Sequence, residues 1–506
     1  TPRQGLATTD NSRFTRVWHE ISLSNIGLGL SREDAISSSY KWFPFNKGGV
    51  FRRWYGNNDY VVNWANDGIE IKENILRKYT YLKTPDFVAK NQTLYFKKGF
   101  SWSAISNVNF GVRLQLQGTI FSNAGMALFP SKWDKFLAAA LNSRVIFEIL
   151  EVLSPTMNFN AGVISILPLP SEIDDIILNT IDIKVDECIN ISKEDWESYE
   201  TSIGFTINPI LKISNAKLSV SSKEYQLYWQ KKIDRLTILE DELDALVNRV
   251  YGYKKGNSKI SNRTITIQQD YFVQDGFNFK ELINQFISYS ICCIFGRYSL
   301  DKPGIILANQ GETIQDFLKQ VPSPIFMPDE DNIIPVLDGE WFNDDIVGRF
   351  KVFLKAAFGE EHFEENLKYI EATIGKDIRK YFVKDFYNDH IKRYKKRPIY
   401  WMFSSPKGHF KALIYMHRYT PDLCSKMLTD YLQSYIHKME AAQQNKIAES
   451  LREDLPARDK TAATKEADRY SAMIKDCKEY AQTLYAVEKK KITIDLDDGV
   501  KVNYQK

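Results

Sequence analysis

Residues 41–64 read KWFPFNKGGVFRRWYGNNDYVVNW, and this stretch decides how the first third of the chain folds. Its eight aromatic residues and its valines gather in short runs separated by Asn46-Lys47-Gly48-Gly49 and Gly56-Asn57-Asn58-Asp59. Short aromatic and β-branched runs bounded by Gly and Asn clusters are strand and turn signals. Asn66-Asp67-Gly68 supplies a further turn. Working outward, residues 1–195 predict a β-rich domain, with Lys132 to Leu150 as its helical exception. There Phe136, Leu137, Ala140, Leu141, Val145 and Ile146 follow the helical period.

Beyond that domain the pattern changes to helices, so the expected class is α+β: a β-rich mixed domain, then a mostly α-helical spacer and C-terminal region. Leu236, Leu239, Leu243, Leu246 and Val250 recur at a/d spacing with charges between them, and Gly252 offers a stop. They place a helical spacer at 196–260. Residues 261–423 read as helical, with apolar density from Ser261 to Ser299 and an acidic stretch followed by a basic one. Between 329 and 372 there are 12 Asp/Glu against 4 Lys/Arg; between 376 and 418 there are 12 Lys/Arg against 3 Asp. Residues 424–506 predict an antiparallel helix pair, Cys424–Asp454 and Asp459–Lys490, broken at Leu455-Pro456. A closing β-hairpin is expected from Ile492 to Val502, turning at Asp497-Asp498-Gly499.

At 506 residues the chain exceeds what one core usually serves. With 43% apolar and 26% charged residues it has ample material for packing. A net charge of +3 carries no whole-chain signal for nucleic acid or membrane, so any electrostatic message is local. The five cysteines (188, 292, 293, 424, 477) lack metal-ligand or C-x-x-C spacing and read as reduced, buried residues of a cytoplasmic protein. The longest nearly apolar run, Phe286 to Phe295, is about half the roughly 20 residues of a membrane span. The start at Thr1-Pro2-Arg3-Gln4 has no secretory pattern and reads as the start of a fragment.

Familiar catalytic patterns are missing. Only Gly27-Leu28-Gly29 approaches a dinucleotide or S-adenosylmethionine loop, and no P-loop, G-x-S-x-G or H-E-x-x-H occurs. The six His are scattered without a third ligand, so no metal site is expected. Glu70-Ile71-Lys72 is half of a nuclease pattern. Methylating a base amine needs a tetrapeptide with two adjacent prolines, whose acceptors hold the flipped base's amine, and no Pro-Pro pair exists. No catalytic residue is therefore assigned, and whether this chain alone is an enzyme stays open.

What remains is chemistry suited to DNA. Lys47, Arg52, Arg53, Asn57 and Asn58 lie on turns, where Arg and Lys can neutralise phosphates and Asn and Arg can read base edges. The alternative is an aromatic core capped by the Arg pair. Gln4, Asn11, Arg13 and Arg16 form a polar N-terminal loop, in which an Arg either touches phosphate or pairs with Asp10. Ser101, Trp102 and Ser103 follow Lys97-Lys98-Gly99 as another candidate exposed turn. Lys392, Arg393, Lys395, Lys396 and Arg397 place five positive charges within six residues, and Lys407 follows. Such a run attracts a polyanion by counterion release; the competing reading docks it on the acidic stretch.

Several segments together carry a resemblance: PRQGLATTDNSRF (2–14), the 41–64 stretch, FKKGFSWSAIS (96–106), DNIIPVLDGEWFNDDIVGRF (331–350), DIRKYFVKDFYNDHIKRYKKRPIYWMFSSPKGHFKALIYMHRY (377–419) and IDLDDGVKVNY (494–504). They resemble the C-terminal part of the PglX type of adenine-specific DNA methyltransferase, from BREX phage-defence systems. The resemblance implies a target-recognition domain followed by a spacer and C-terminal region, with double-stranded DNA as partner. It implies methyl transfer to adenine N6 for host marking and phage defence, by a part preceding Pro2 that binds S-adenosylmethionine; this chain itself is expected to hold no cofactor. The alternative is an interaction scaffold for other BREX proteins or a phage-encoded DNA mimic.

Overall fold

The computed structural model describes residues 1–106, 109–156, 158–213, 215–253 and 265–505. The fold is α+β, about half helical and about a tenth strand, spread over several small sheets. The chain forms two compact units: Thr1–Ile213 with Val220–Leu282, and Ile283–Lys506 with the short Ser214–Ser219. Most of the helix expected as a spacer, from Val220 onward, lies within the first unit. Among the described residues no helix is long and apolar enough to cross a membrane. All five cysteines are buried and free.

In the first unit, the aromatic runs become strands. β1 (Pro2–Arg3), β2 (Thr15–Val17), β3 (Trp42–Asn46), β4 (Tyr60–Asn63), β5 (Gly99–Ser103), β6 (Val112–Gln115), β7 (Ile120–Phe121) and β8 (Gly125–Leu128) form two four-stranded sheets. One has the order β2-β4-β3-β7, with Phe43 opposite Val62 and Phe45 opposite Tyr60; the other runs β1-β8-β5-β6. Leu6, Phe14, Phe43, Phe45, Val62, Trp64, Tyr95 and Phe121 share one core cluster.

Asn66, Asp67 and Gly68 make a short left-handed turn, with φ of 51°, 56° and 73°. A Cβ on Gly68 would lie 2.5 Å from the Trp64 ring, so glycine is required there. The helix expected from Lys132 to Leu150 divides into Asp134–Leu141 and Arg144–Leu153. Asn142 turns its amide to both backbone groups of Val112 on β6 (2.8 and 2.9 Å), and the Ser143 hydroxyl caps the second helix. Helices Asp175–Trp196 and Leu218–Val250 follow, then a small hairpin of β9 (Phe272–Val273) and β10 (Gly276–Phe277) where continuous helix was expected. The expectation for 261–264 lies outside the described residues.

In the second unit the buried helix Phe279–Ile294 contributes its length from Ile283 onward to a core beside a three-stranded sheet. β11 (Ile334–Pro335), β12 (Tyr400–Ser404) and β13 (Lys411–Tyr415) order as β11-β13-β12, all antiparallel. Helices Ser434–Ser450 and Ala457–Glu488 run antiparallel, as Glu440–Lys478, Gln443–Ser471 and Lys446–Glu466 contacts show. The expected terminal hairpin does not form. Leu496–Asp498 is a 3-10 turn and Val500–Asn503 a short helix. The Gln310 side chain bonds Ile494 O and Leu496 N (2.8 and 2.9 Å), serving the backbone groups a partner strand would have paired.

Candidate nucleic-acid interface

The loop between β3 and β4 carries the arginine pair, and the first unit turns that pair inward. Arg52 Nη2 hydrogen-bonds Asp195, and its guanidinium stacks 4.9 Å from the Trp196 ring centroid. Asp195 is fully buried and also accepts from Gln268 N and Nε2 (2.8 and 2.9 Å). Arg53 Nη1 donates to Glu240 Oε2 at 2.9 Å, while Trp54 Nε1 donates to Glu240 Oε1 at 2.8 Å. Arg53, Trp54 and Glu240 are all buried. These contacts join the loop to helices Asp175–Trp196 and Leu218–Val250.

Asn57 is buried in a left-handed conformation (φ 60°) and donates to Val50 O at 2.9 Å. Ser101, Trp102 and Ser103 are not an exposed turn but the buried strand β5. Trp102 Nε1 bonds Phe159 O at 2.7 Å and Ser103 Oγ bonds Gly49 O at 2.9 Å. Beside them, Arg113 is fully buried, and burial first, then the Arg52 charge, pushes its pKa down to about 10.

The positions that do face outward in this unit are fewer. Asn11 and Arg13 are exposed; Gln4, Arg16, Lys47 and Asn58 are half-buried. Asp10 caps the Asn11–Phe14 turn by accepting from Arg13 N, and the Arg13 guanidinium pairs with Glu70 (3.2 Å). Arg16 lies over the Trp42 ring and Lys47 over the Tyr60 ring, at 5.2 and 4.7 Å from the centroids. Gln4 Oε1 accepts from Lys90, and Asn11 Oδ1 accepts from Thr8.

In the second unit the basic run closes a helix. Ile378–Tyr381, a π turn Phe382–Phe386 and Tyr387–Arg393 form one continuous helical segment. It ends where Lys395 and Lys396 adopt left-handed φ of 51° and 61°, and Lys396 N bonds Ile391 O at 2.8 Å. A side chain in that conformation costs about 1–2 kcal/mol, which is why glycine usually fills it. Lys392, Lys395 and Lys396 are exposed, while Arg393 and Arg397 are half-buried. The helix is held to β12 from beneath: His390 Nε2 accepts from Tyr400 N at 3.1 Å, and burial, then the Arg393 charge, pushes the His390 pKa down to about 3.

Lys407 sits at the other end of β12, beyond a five-residue strand that spans roughly 17 Å at about 3.4 Å per residue. The sequence run therefore splits into two separate basic points. The Lys407 loop is clasped by the buried Asp476, which accepts from Ser405 Oγ (2.6 Å), Lys407 N (3.0 Å) and His409 Nδ1 (3.0 Å). Burial opposes the charge of Asp476, yet these donors hold its carboxyl below the usual range.

The acidic stretch is occupied elsewhere. Asp345 and Glu340 pair with Arg379, Glu360 with Lys355, Glu365 with Lys217, and Asp338 with Arg469. Asp329, Asp331 and Asp344 lie close enough to hold a cation, their ligand atoms all within 4.8 Å of one another. Tyr431 Oη is 2.8 Å from Asp331 and 2.6 Å from Asp344, at the edge of a cavity of about 300 Å3. Burial, then the Asp331 charge, raises Asp329 to about 7. Missed by the sequence reading were the carboxylates Asp195 and Glu240 that absorb the arginine pair, and the clasp at Asp476; all three lie on helices far along the chain from the groups they bind.

No family model matches the sequence. Among curated proteins, the chain is 34% identical to the adenine-specific methyltransferase PglX of Lacticaseibacillus casei (strain Zhang), over 100% of this chain and 42% of that protein. It is 30% identical to the adenine-specific methyltransferase BrxX of Escherichia coli O9:H4 (strain HS), over 97% of this chain and 41% of that protein. The chain thus spans about two fifths of the length of the curated relatives it matches. This similarity along nearly the whole chain, to the C-terminal part of both relatives, fits a PglX-like protein of the BREX systems.

Proposed function

We propose that this chain grips and discriminates duplex DNA on behalf of an adenine-specific methyltransferase in a BREX system, in the cytoplasm. The observation that carries the reading is the exposure of Lys392 and Lys396: neither meets a carboxylate among the described residues, although a highly acidic stretch precedes them in sequence. Ammonium groups left unpaired beside such a stretch are available to phosphates, whose neutralisation releases counterions. In the first unit, Asn11, Arg16 and Lys47 are the polar groups suited to phosphates and base edges, whereas Arg13 is paired with Glu70 and the Asn58 amide nitrogen is buried. Methyl transfer to adenine N6 and S-adenosylmethionine binding belong to the whole protein, since this chain has no adjacent prolines for the base-amine pocket.

Titrating the chain into labelled duplex across a salt series tests this. Affinity should fall steeply with salt, and Lys392→Ala with Lys396→Ala should reduce the log–log slope by about two, near 0.9 per lost phosphate contact. A salt-independent affinity, or no binding, would refute it.

A further inference from the structure

Residues Lys380, Lys384, Asn388, Lys392 and Lys396 recur every fourth position and are all exposed. The positions two residues earlier, Ile378, Phe382, Phe386, His390 and Tyr394, also recur by four and are all buried. A period of four is too long for an ordinary α-helix, where each such step drifts by about 40° around the axis. The π turn at Phe382–Phe386 resolves the mismatch. Its wider loop holds more residues per turn and takes back part of the drift, so both rows stay aligned. Turns of this kind concentrate at functional sites.

The exposed row is also electrically uncompensated. None of its four lysines pairs with a carboxylate among the described residues. The acids on the same segment are turned aside: Asp385 binds Lys376 at 2.6 Å, Asp389 accepts from Tyr381 Oη at 2.9 Å, and Asp377 caps the segment's start. The helical part of the row, Lys380 to Lys392, extends over roughly 18 Å at about 1.5 Å per residue, and Lys396 follows in the turn that ends the helix. One DNA strand passes about five phosphates in that distance, at about 3.4 Å of duplex axis each. A line of charge suits a polyanion, whereas a compact cluster suits one phosphate. The row holds no large apolar side chain, and protein interfaces are depleted in lysine and anchored by aromatic residues.

We propose that this row is a rail that tracks the phosphate backbone of duplex DNA, with Lys380, Lys384 and Asn388 extending the contact begun by Lys392 and Lys396. It rests on the DNA reading above and adds residues to it. The test is a salt titration of the full chain with labelled duplex, comparing Lys380→Gln/Lys384→Gln with Lys392→Gln/Lys396→Gln. Each pair should lower the salt slope by about two and the four together by about four. Lys380→Arg/Lys384→Arg should restore the wild-type slope, which separates lost charge from lost structure. If only the Lys392/Lys396 pair lowers the slope, the rail is overturned while the DNA reading stands. If wild type shows no salt-dependent binding to duplex, both fall. Equal loss of binding in the Gln and Arg variants at Lys380 and Lys384 also overturns the rail, and so does a row whose changes alter binding to polyglutamate but not to duplex.

Discussion

Arg52-Arg53 in the first unit and Lys392–Lys396 in the second are both basic runs beside aromatics, and the fold treats them oppositely. The arginines are drawn inside by Asp195 and Glu240: Arg52 bonds Asp195 and stacks over the Trp196 indole, and Arg53 shares Glu240 with the Trp54 indole N–H. Lys392 and Lys396 stand at a helix end, exposed and without a carboxylate partner among the described residues. Basic sequence alone therefore does not mark a binding surface. What decides is whether the fold brings a carboxylate to each charge.

The largest effect that tests this contrast is in the arginine pair. Removing one partner of a buried ion pair leaves the other charge stranded, so Arg53→Ala should destabilise the chain by about 3–5 kcal/mol, read as a fall in the denaturant midpoint. Exposed Lys384→Ala should stay within about 0.5 kcal/mol of wild type. An Arg53→Ala chain of normal stability with weakened DNA binding would return Arg53 to the role of reader.

The strands at Trp42–Asn46 and Tyr60–Asn63 were legible because aromatic alternation and Gly/Asn turns are local signals. The fate of the arginines between them was not, since their partners lie 143 and 187 positions away. The terminal segment misled for a related reason: Asp497-Asp498-Gly499 fits a hairpin turn, but Gln310 from far upstream satisfies the backbone instead. The density of five charges in six residues drew attention to 392–397 and away from the four-residue period that begins at Lys380. That period was present in the sequence, yet its meaning depends on a π turn that no residue preference announces.

A smaller effect probes the buried side of the lysine row. His390 is neutral in the folded chain, its pKa pushed from the usual 6.5 to about 3 by burial and the Arg393 charge. On acidification the unfolded chain takes up this proton first, so stability is lost as pH falls from about 6.5 toward 3. Between pH 7 and 5 this amounts to about 2 kcal/mol. Asp329, raised to about 7, acts with the opposite sign, because the folded chain holds its proton to higher pH. Comparing wild type with His390→Gln removes that common contribution and keeps an acceptor for Tyr400 N. The variant should lose about 2 kcal/mol less over this interval, and parallel pH profiles would show that His390 is not held neutral.

The smallest effect concerns the helix end itself. Lys396 holds a left-handed φ of 61° and donates its N–H to Ile391 O, a position where glycine is free of the Cβ clash. Lys396→Gly should stabilise the chain by about 0.5–1 kcal/mol, the relieved strain less the added freedom of glycine in the unfolded state. If Lys396 meets a phosphate as proposed, the same change removes that contact and the salt slope on duplex DNA should drop by about one. Opposite signs in the two measurements mean that lysine is kept at a conformational cost for what its charge does outside the fold. If Lys396→Gly instead weakened folding and left the salt slope alone, Lys396 would serve the helix end, and the contrast with the buried arginines would vanish.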